Sequence, residues 1–256
     1  THIRENLAAM MSPLQLAKTM NSCGALEFRD DQLLDALVEC TLRKKHVCSG
    51  RNVVDMLVGL HILGYAPPEA LRALVRIAYR DMDKIGAENA MELLRVFAVM
   101  PKEVREAFPD LPESCLNLIG RRAGFTTYKF APVVAHDLLR AMQLLRAEDP
   151  LVTQLVLRQT RGLLLHEDCH GDLLLQLLGV LADLTGEARA ALRAHIHRRP
   201  RVQLALSERI GEVCSRNVDP EHAALVAIAV IRMGYHDDQV NLLLDRAERG
   251  IEQAEA

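Results

Sequence analysis

The residues with the most recognisable catalytic spacing are His166-Glu-Asp-Cys-His170, which match the H-E-x-x-H pattern of zinc hydrolases. In that chemistry two histidines one helical turn apart bind zinc and Glu167 acts as the general base, so the motif must lie on one continuous helix. Gly171 follows the motif at once and Asp172 is typical of a helix cap, which places the motif in a turn. We therefore expect no metal and no catalytic residues, with a zinc hydrolase using His166, Glu167 and His170 as the remote alternative.

Other catalytic and cofactor signatures are weaker. Cys40, His46 and Cys48 carry metal-binding side chains, but their spacing completes no four-ligand site, and Lys44 and Lys45 would repel a cation. The sequence contains no nucleophile elbow, no phosphate-binding loop and no dinucleotide fingerprint. These observations favour a protein that is not an enzyme and has neither a cofactor nor a small-molecule substrate.

Local positive charge is the remaining chemical signal. Segments 43–51, 121–129 and 189–201 contain Lys and Arg without any acid, and a further ridge of arginines repeats every four residues along one helix. Guanidinium groups fit phosphate oxygens, and the release of counterions favours such binding. Basic residues at helix ends also oppose the helix dipole, so capping or contact with proteins remains the alternative. The residues that we single out for RNA contact are Arg43, Lys44, Lys45, Arg51, Arg72, Arg76, Arg80, Arg121, Arg122, Lys129, Arg189, Arg193, Arg198, Arg199 and Arg201.

Segment 189–201 is the strongest of these candidates because its positive charge is the densest. The formal net charge of the whole chain is −3, so any attraction to RNA must be local. Few aromatic residues accompany the basic segments, and Tyr128 and Phe130, beside segment 121–129, are the two that we name as candidates for stacking on bases.

The elements that position these residues are indicated by a helix–turn–helix phrase that occurs twice. Gly59-Leu-His-Ile-Leu-Gly-Tyr65 ends one helix and is followed by a second at Glu69–Val75, and Val230-Ile-Arg-Met-Gly-Tyr235 ends another and is followed by Gln239–Leu244. The two Gly-Tyr pairs are about five units of 34 residues apart, which is typical of two-helix repeats that stack into a solenoid. Gly64 and Gly234 each follow an apolar stretch, where a left-handed glycine ends a helix.

Helix starts are marked by Ser12-Pro13, Asp149-Pro150 and Asp219-Pro220, where a capping side chain precedes a proline at the first helical position. Between such marks the apolar residues recur with helical spacing, and no segment alternates as a strand does. The sequence therefore predicts an all-α fold, an α-solenoid of antiparallel helical hairpins with about six repeats and about thirteen helices.

We expect one repeat domain over residues 1–256, with a possible soft boundary near 123–127. One predicted helix covers 101–122 and is broken near two prolines. The predicted helices 171–185 and 219–235 are apolar nearly all round, so we expect both to be sandwiched in the middle of the stack.

Composition agrees with this class of fold. The chain is 50% hydrophobic and 4% aromatic, values that suit a globular protein. Its six cysteines are dispersed without paired spacing, which indicates reduced thiols in an intracellular or organellar protein. No apolar run reaches the length of a membrane span, so we expect no membrane contact. The chain begins at Thr1, and we expect that any transit peptide lies upstream of it.

Leu57-Val-Gly-Leu-His-Ile-Leu-Gly-Tyr65, with Leu71-Arg-Ala-Leu-Val75, resembles the octotricopeptide and heptatricopeptide repeats of organellar RNA-metabolism proteins, including the FAST-kinase-like helical region. Val226-Ala-Ile-Ala-Val-Ile-Arg-Met-Gly-Tyr235 matches the same phrase. The chain is also similar in style to helical-repeat subunits of trypanosomatid mitochondrial RNA-editing and ribosome-assembly complexes. The resemblance implies a mitochondrial, non-enzymatic scaffold that binds RNA and protein subunits in a ribonucleoprotein complex for RNA processing, editing or ribosome assembly. A pure protein–protein scaffold without RNA contact is the alternative.

Overall fold

The computed structural model describes residues 9–123, 129–215 and 219–255, and their side chains over 9–121, 129–215 and 219–250. These residues form α-helices and one short 3₁₀ helix, Met82–Lys84, and contain no strand. The all-α helical-repeat fold is thereby confirmed. The helices are α1 Pro13–Ala25, α2 Asp31–Arg43, α3 Gly50–Ile62, α4 Pro68–Arg80, α5 Ala87–Ala98, α6 Lys102–Glu106, α7 Leu111–Ala123, α8 Pro132–Leu145, α9 Pro150–Leu164, α10 Gly171–Ala182, α11 Gly186–Arg198, α12 Pro200–Ser215, α13 Pro220–Arg232 and α14 Asp238–Glu255.

The two Gly-Tyr turns have the same backbone conformation. Gly64 and Gly234 have φ angles of +63° and +85°, in the left-handed region that glycine adopts without strain. The tyrosine that follows, Tyr65 or Tyr235, donates its N–H to the carbonyl five residues earlier, at 3.0 and 3.1 Å. This bond pattern ends α3 and α13 in the same way. The equivalence of the two turns, predicted from the repeated phrase, is confirmed.

The tyrosine hydroxyls of the two turns have different acceptors. Tyr65 is buried and donates to the carboxylate of Asp35 in α2. Tyr235 donates to Asp237 at 2.6 Å, just before α14. The equivalence therefore holds for the backbone and not for the side chains.

The chain divides into two compact units by its internal contacts. The first unit contains Thr1–Phe125 and Leu144–Asp149. Within it, α1, α3, α5 and α7 pack in one row, each against the next, while α2, α4 and α6 form a second row. Contacts between every second helix are the signature of stacked two-helix repeats.

The second unit contains Thr126–Gln143 and Pro150–Ala256. Here α10 packs against α13, and α12 packs against α14, again two rows of helices. α11 departs from the two-row pattern, because α9 packs against both α11 and α12. α11 therefore forms part of the surface on which the candidate functional site lies.

The segment 101–122, predicted as a helix broken near two prolines, forms two helices, α6 and α7, with Pro109 between them and Pro112 in the first turn of α7, so the predicted break is confirmed. The predicted placement of one helix is wrong. α13 is not sandwiched: Leu225, Ile228 and Ile231 are 45%, 49% and 39% exposed. The opposite face of α13 packs against α10 and α14, and no described helix covers the side that carries these three residues.

None of the described helices is long and apolar enough to cross a membrane.

Candidate functional site

The second unit has a groove between α9, α11 and the first turn of α12, with a volume of about 1080 Å³. We call it the basic groove, because five arginines line it. They are Arg158, Arg161, Arg198, Arg199 and Arg201.

Helical spacing places these side chains on the facing walls. On α9, Gln154, Arg158 and Arg161 recur at i, i+4 and i+7 and all three are exposed, so they form one face of the helix. The other face of α9 is apolar and buried, with Val152 and Val156 in the core. The first wall is therefore polar and basic along its length.

The second wall is a face of α11 in which two alanines leave room for the groove. Ala191, Ala194, His195 and Arg198 recur at i, i+3, i+4 and i+7 and line it together. Arg199 then has an extended backbone, and Pro200 starts α12 directly afterwards. This tight connection brings three arginines, Arg198, Arg199 and Arg201, to one end of the groove.

The positive charge of the basic groove is uncompensated. All five arginines are exposed, and their guanidinium groups form no hydrogen bond or ion pair with the residues that the structure describes. No Asp or Glu is among the side chains that line the groove in this part of the chain. A concave surface with one sign of charge concentrates the electrostatic potential, so the groove attracts anions.

His195 is the one titratable lining residue that changes charge near neutral pH. Burial, and then the positive charge of Arg199, lower the pKa of its imidazole. This shift favours the neutral imidazole at neutral pH. An anion bound beside it would favour the protonated form.

The arginines of segment 189–201 divide into two groups. Arg198, Arg199 and Arg201 lie in the basic groove. By contrast Arg189 donates to the carbonyl of Leu184 at 2.7 Å, and Arg193 donates to a carbonyl at the end of α13 at 3.2 Å. Arg189 and Arg193 therefore stabilise helix connections and do not line the groove.

In the first unit, two of the predicted RNA-binding residues, Lys44 and Arg80, donate hydrogen bonds to backbone carbonyls. Lys44 donates to the carbonyls of Ala9 and Met11, at 2.7 and 2.6 Å. Arg80 donates to the carbonyls of Lys45 and Cys48, both at 3.0 Å, and so connects the end of α4 to the loop before α3. These contacts satisfy carbonyls that the ends of helices leave unpaired.

Ion pairs engage two more of these residues. Arg43 pairs with Glu39, and Arg72 pairs with Glu69 at 3.0 Å. The other predicted residues with described side chains are exposed. They are Lys45, Arg51, Arg76, Arg121 and Lys129.

The aromatic candidates for stacking do not form a platform in the described part of the chain. Phe130 is 4% exposed, so its ring is not available to a base, and the prediction for this residue is wrong. Tyr128 and the side chain of Arg122 lie outside the described residues.

The H-E-x-x-H segment lies in the turn between α9 and α10, as its flanking residues indicate. His166 accepts the N–H of Asp168 at 3.3 Å, and the Nδ1 atom of His170 lies 2.9 Å from the carbonyl oxygen of Glu167. Arg209 donates to the His166 carbonyl at 3.1 Å and holds the turn in place. Among the described residues, no three His, Cys, Asp or Glu side chains are grouped to hold a metal ion. The turn lacks the continuous helix that the zinc-hydrolase geometry requires.

Two residues of the basic groove, Arg158 and Arg161, were not among the sequence-derived candidates. α9 contains no Asp or Glu, and the spacing of Gln154, Arg158 and Arg161 marks a polar stripe on one face. This polar stripe is the feature of the sequence from which Arg158 and Arg161 could have been identified. The stripe indicates a binding site only once the structure shows that α11 and α12 face it.

No family model matches the chain, and no curated protein matches it significantly.

Proposed function

We propose that this protein is a non-enzymatic helical-repeat scaffold that binds RNA through the basic groove, within a ribonucleoprotein complex for RNA processing, editing or ribosome assembly in mitochondria. The observation that carries the proposal is the convergence of five arginines from three helical elements on one groove, without an acid among its lining residues.

The chemistry of these arginines favours a polyanion as the partner. Each guanidinium presents a planar set of donors that fits phosphate oxygens, and it stays charged at any physiological pH. Neutralising the phosphates of RNA releases their counterions, which supplies binding free energy without base contacts. Because the net charge of the chain is −3, attraction to RNA has to come from a local basic surface, and the groove is one.

A protein partner is supported by a different surface. Leu225, Ile228 and Ile231 form an exposed apolar stripe along α13. Apolar stripes of this kind are typical of surfaces that contact other proteins. The stripe accounts for a scaffold role, and it is also the observation that favours the second candidate, a pure protein scaffold. The mitochondrial location rests on the resemblance to organellar repeat proteins alone.

The test compares two variants with the same change in charge. The groove variant replaces Arg158, Arg198, Arg199 and Arg201 with Ala, and the control variant replaces exposed arginines outside the groove. The control positions are Arg51, Arg76, Arg121 and Arg140. RNA binding is measured by fluorescence anisotropy over a range of salt concentrations, and thermal unfolding verifies that both variants are folded.

We expect the groove variant to lose affinity by a factor on the order of 10 to 1,000 while the control binds nearly as the wild type does. The slope of log affinity against log salt should fall by roughly 0.7 for each lost contact with a single strand. Equal losses in both variants would show that the attraction is spread over the surface. If the wild type binds no RNA, and RNase leaves its captured protein partners in place, the pure protein scaffold is correct.

A further inference from the structure

The side chains of the basic groove suit phosphates better than bases. Besides the five arginines and His195, the lining consists of Gln154, alanines and the apolar residues Leu157, Pro200 and Val202. Base edges are typically recognised by Asn, Gln, Asp or Glu, and guanine also by Arg, while exposed bases stack on aromatic rings or on guanidinium planes. Arginines that bind phosphates are not available for either contact. Gln154 is the single amide and His195 the single ring among the described lining residues.

The arginines are also arranged for a chain of phosphates. Arg158 and Arg161 are three residues apart on α9, which separates their Cα atoms by about 4.5 Å along the helix axis. Arg198, Arg199 and Arg201 line the other side, at the junction of α11 and α12. Phosphates in the groove would therefore meet donors from both walls.

The dimensions of the groove favour one strand. The stretch of α9 from Gln154 to Arg161 is about 10 Å long, and the volume of about 1080 Å³ is close to that of a large small-molecule site. A few nucleotides fit this space. A protein that recognises double-stranded RNA needs a surface that follows two successive minor grooves.

Resting on the proposed function, we infer that the basic groove holds the phosphates of a single RNA strand and reads no base, so that RNA binding by this protein is independent of sequence. Affinity then comes from the number of phosphates in the groove. Sequence preference, where the complex has any, comes from its other subunits.

The experiment measures the affinity of the wild-type chain for oligo(U), oligo(A) and oligo(C) strands of equal length, for a mixed-sequence strand that contains guanine, and for a duplex of that length. Inorganic polyphosphate is added as a competitor, because it offers phosphates without sugars or bases. A Gln154→Ala variant removes the single amide of the lining, and the groove variant removes four arginines.

We expect affinities for the four single strands within about threefold of one another, a duplex affinity at least about tenfold weaker, and complete displacement by polyphosphate. Gln154→Ala should leave the ratios between the strands unchanged within about twofold. The groove variant should weaken binding of all four strands by the same factor.

A preference of about tenfold or more for one strand that disappears in Gln154→Ala or in the groove variant would overturn the inference and leave the proposed function intact. Failure of polyphosphate to compete, or equal binding of the duplex, would also overturn it. Absence of binding to every strand would overturn both the inference and the proposed function.

Discussion

A close approach of two helices in the first unit predicts the effect of one added methyl group. α1 and α3 cross where Gly24 faces Gly59. A Cβ atom on Gly59 would lie 2.5 Å from the carbonyl oxygen of Met20 and 2.8 Å from its carbonyl carbon. Both atoms belong to the backbone of α1, so no side-chain rotation relieves the overlap. In Gly59→Ala, α1 has to move away from α3.

Two opposing contributions decide the magnitude. Alanine in place of glycine stabilises a helix by about 0.8–1.0 kcal/mol. Overpacking of a filled core destabilises by about 1–3 kcal/mol or more, and here the displaced helix carries Leu16 and Met20, which are fully buried. Because the added Cβ overlaps backbone atoms of α1, we expect the second contribution to lie at the upper end of its range and to win, with a net loss of about 2 kcal/mol in the free energy of unfolding.

Gly179→Ala is the matched control. Gly179 lies in α10, and no atom is within 4 Å of the position that its Cβ would take. This variant should gain about 0.5–1 kcal/mol. Urea denaturation followed by circular dichroism measures both, and a net change of 1 kcal/mol moves the melting temperature by roughly 2–4 °C. Equal stabilisation of Gly59→Ala and Gly179→Ala would refute the close approach of α1 and α3. If Gly59→Ala does not fold, Gly24→Ala offers a milder overlap of 2.9 Å with the Cα atom of Gly59.

Three further predictions concern charge and backbone conformation. Asp81→Ala should lower the free energy of unfolding by about 1.5–3 kcal/mol at neutral pH, because the carboxylate pairs with Arg80 and accepts the N–H of Gly50. These contacts lower the pKa of Asp81, so the difference from the wild type in urea denaturation should shrink as the pH falls through that pKa. Gly64→Ala should cost about 1–2 kcal/mol in the same assay, and Gly64→Asn less, because φ there is +63°. RNA affinity should rise as the pH falls from about 7.5 to about 5.5, and His195→Gln should flatten this dependence, because bound phosphate favours the imidazolium.

Each of these predictions has an outcome that contradicts it. An Asp81→Ala variant whose stability loss is the same at every pH would show that the ionised carboxylate is not the stabilising group. Equal losses in Gly64→Ala and Gly64→Asn would point to lost space and not to the left-handed backbone. If RNA affinity depends on pH equally in the wild type and in His195→Gln, another group takes up the proton.

The sequence predicts where the helices of this protein begin and end better than it predicts which helices pack against one another. The starts at Pro13, Pro150 and Pro220 and the ends at Gly64 and Gly234 depend on local backbone chemistry, and the structure has all five. The exposure of α13 was not predictable, because an apolar helix has the same composition whether one or two rows cover it.

The basic groove shows the same limit. Arg193 and Arg198 belong to one run on one helix, but five residues of an α-helix turn the side chain by about 140°. Arg193 therefore meets the end of α13, and Arg198 faces α9. Charge density indicated the right segment, whereas the surroundings of each arginine depend on helices that are about forty residues away in the sequence.

The arginines of this fold consequently serve two purposes that a variant can separate. Arg80 and Arg209 donate to carbonyls at the ends of helices, so their removal leaves acceptors unpaired and should reduce stability.

The arginines of the basic groove face one another without an acid, and like charges in proximity are destabilising by a few tenths of a kcal/mol per pair. The groove variant should therefore be at least as stable as the wild type at low salt, with the difference disappearing when salt screens the repulsion. A groove variant that is less stable than the wild type would mean that these arginines hold the fold together. The strongest structural argument for an anion as their partner would then be lost.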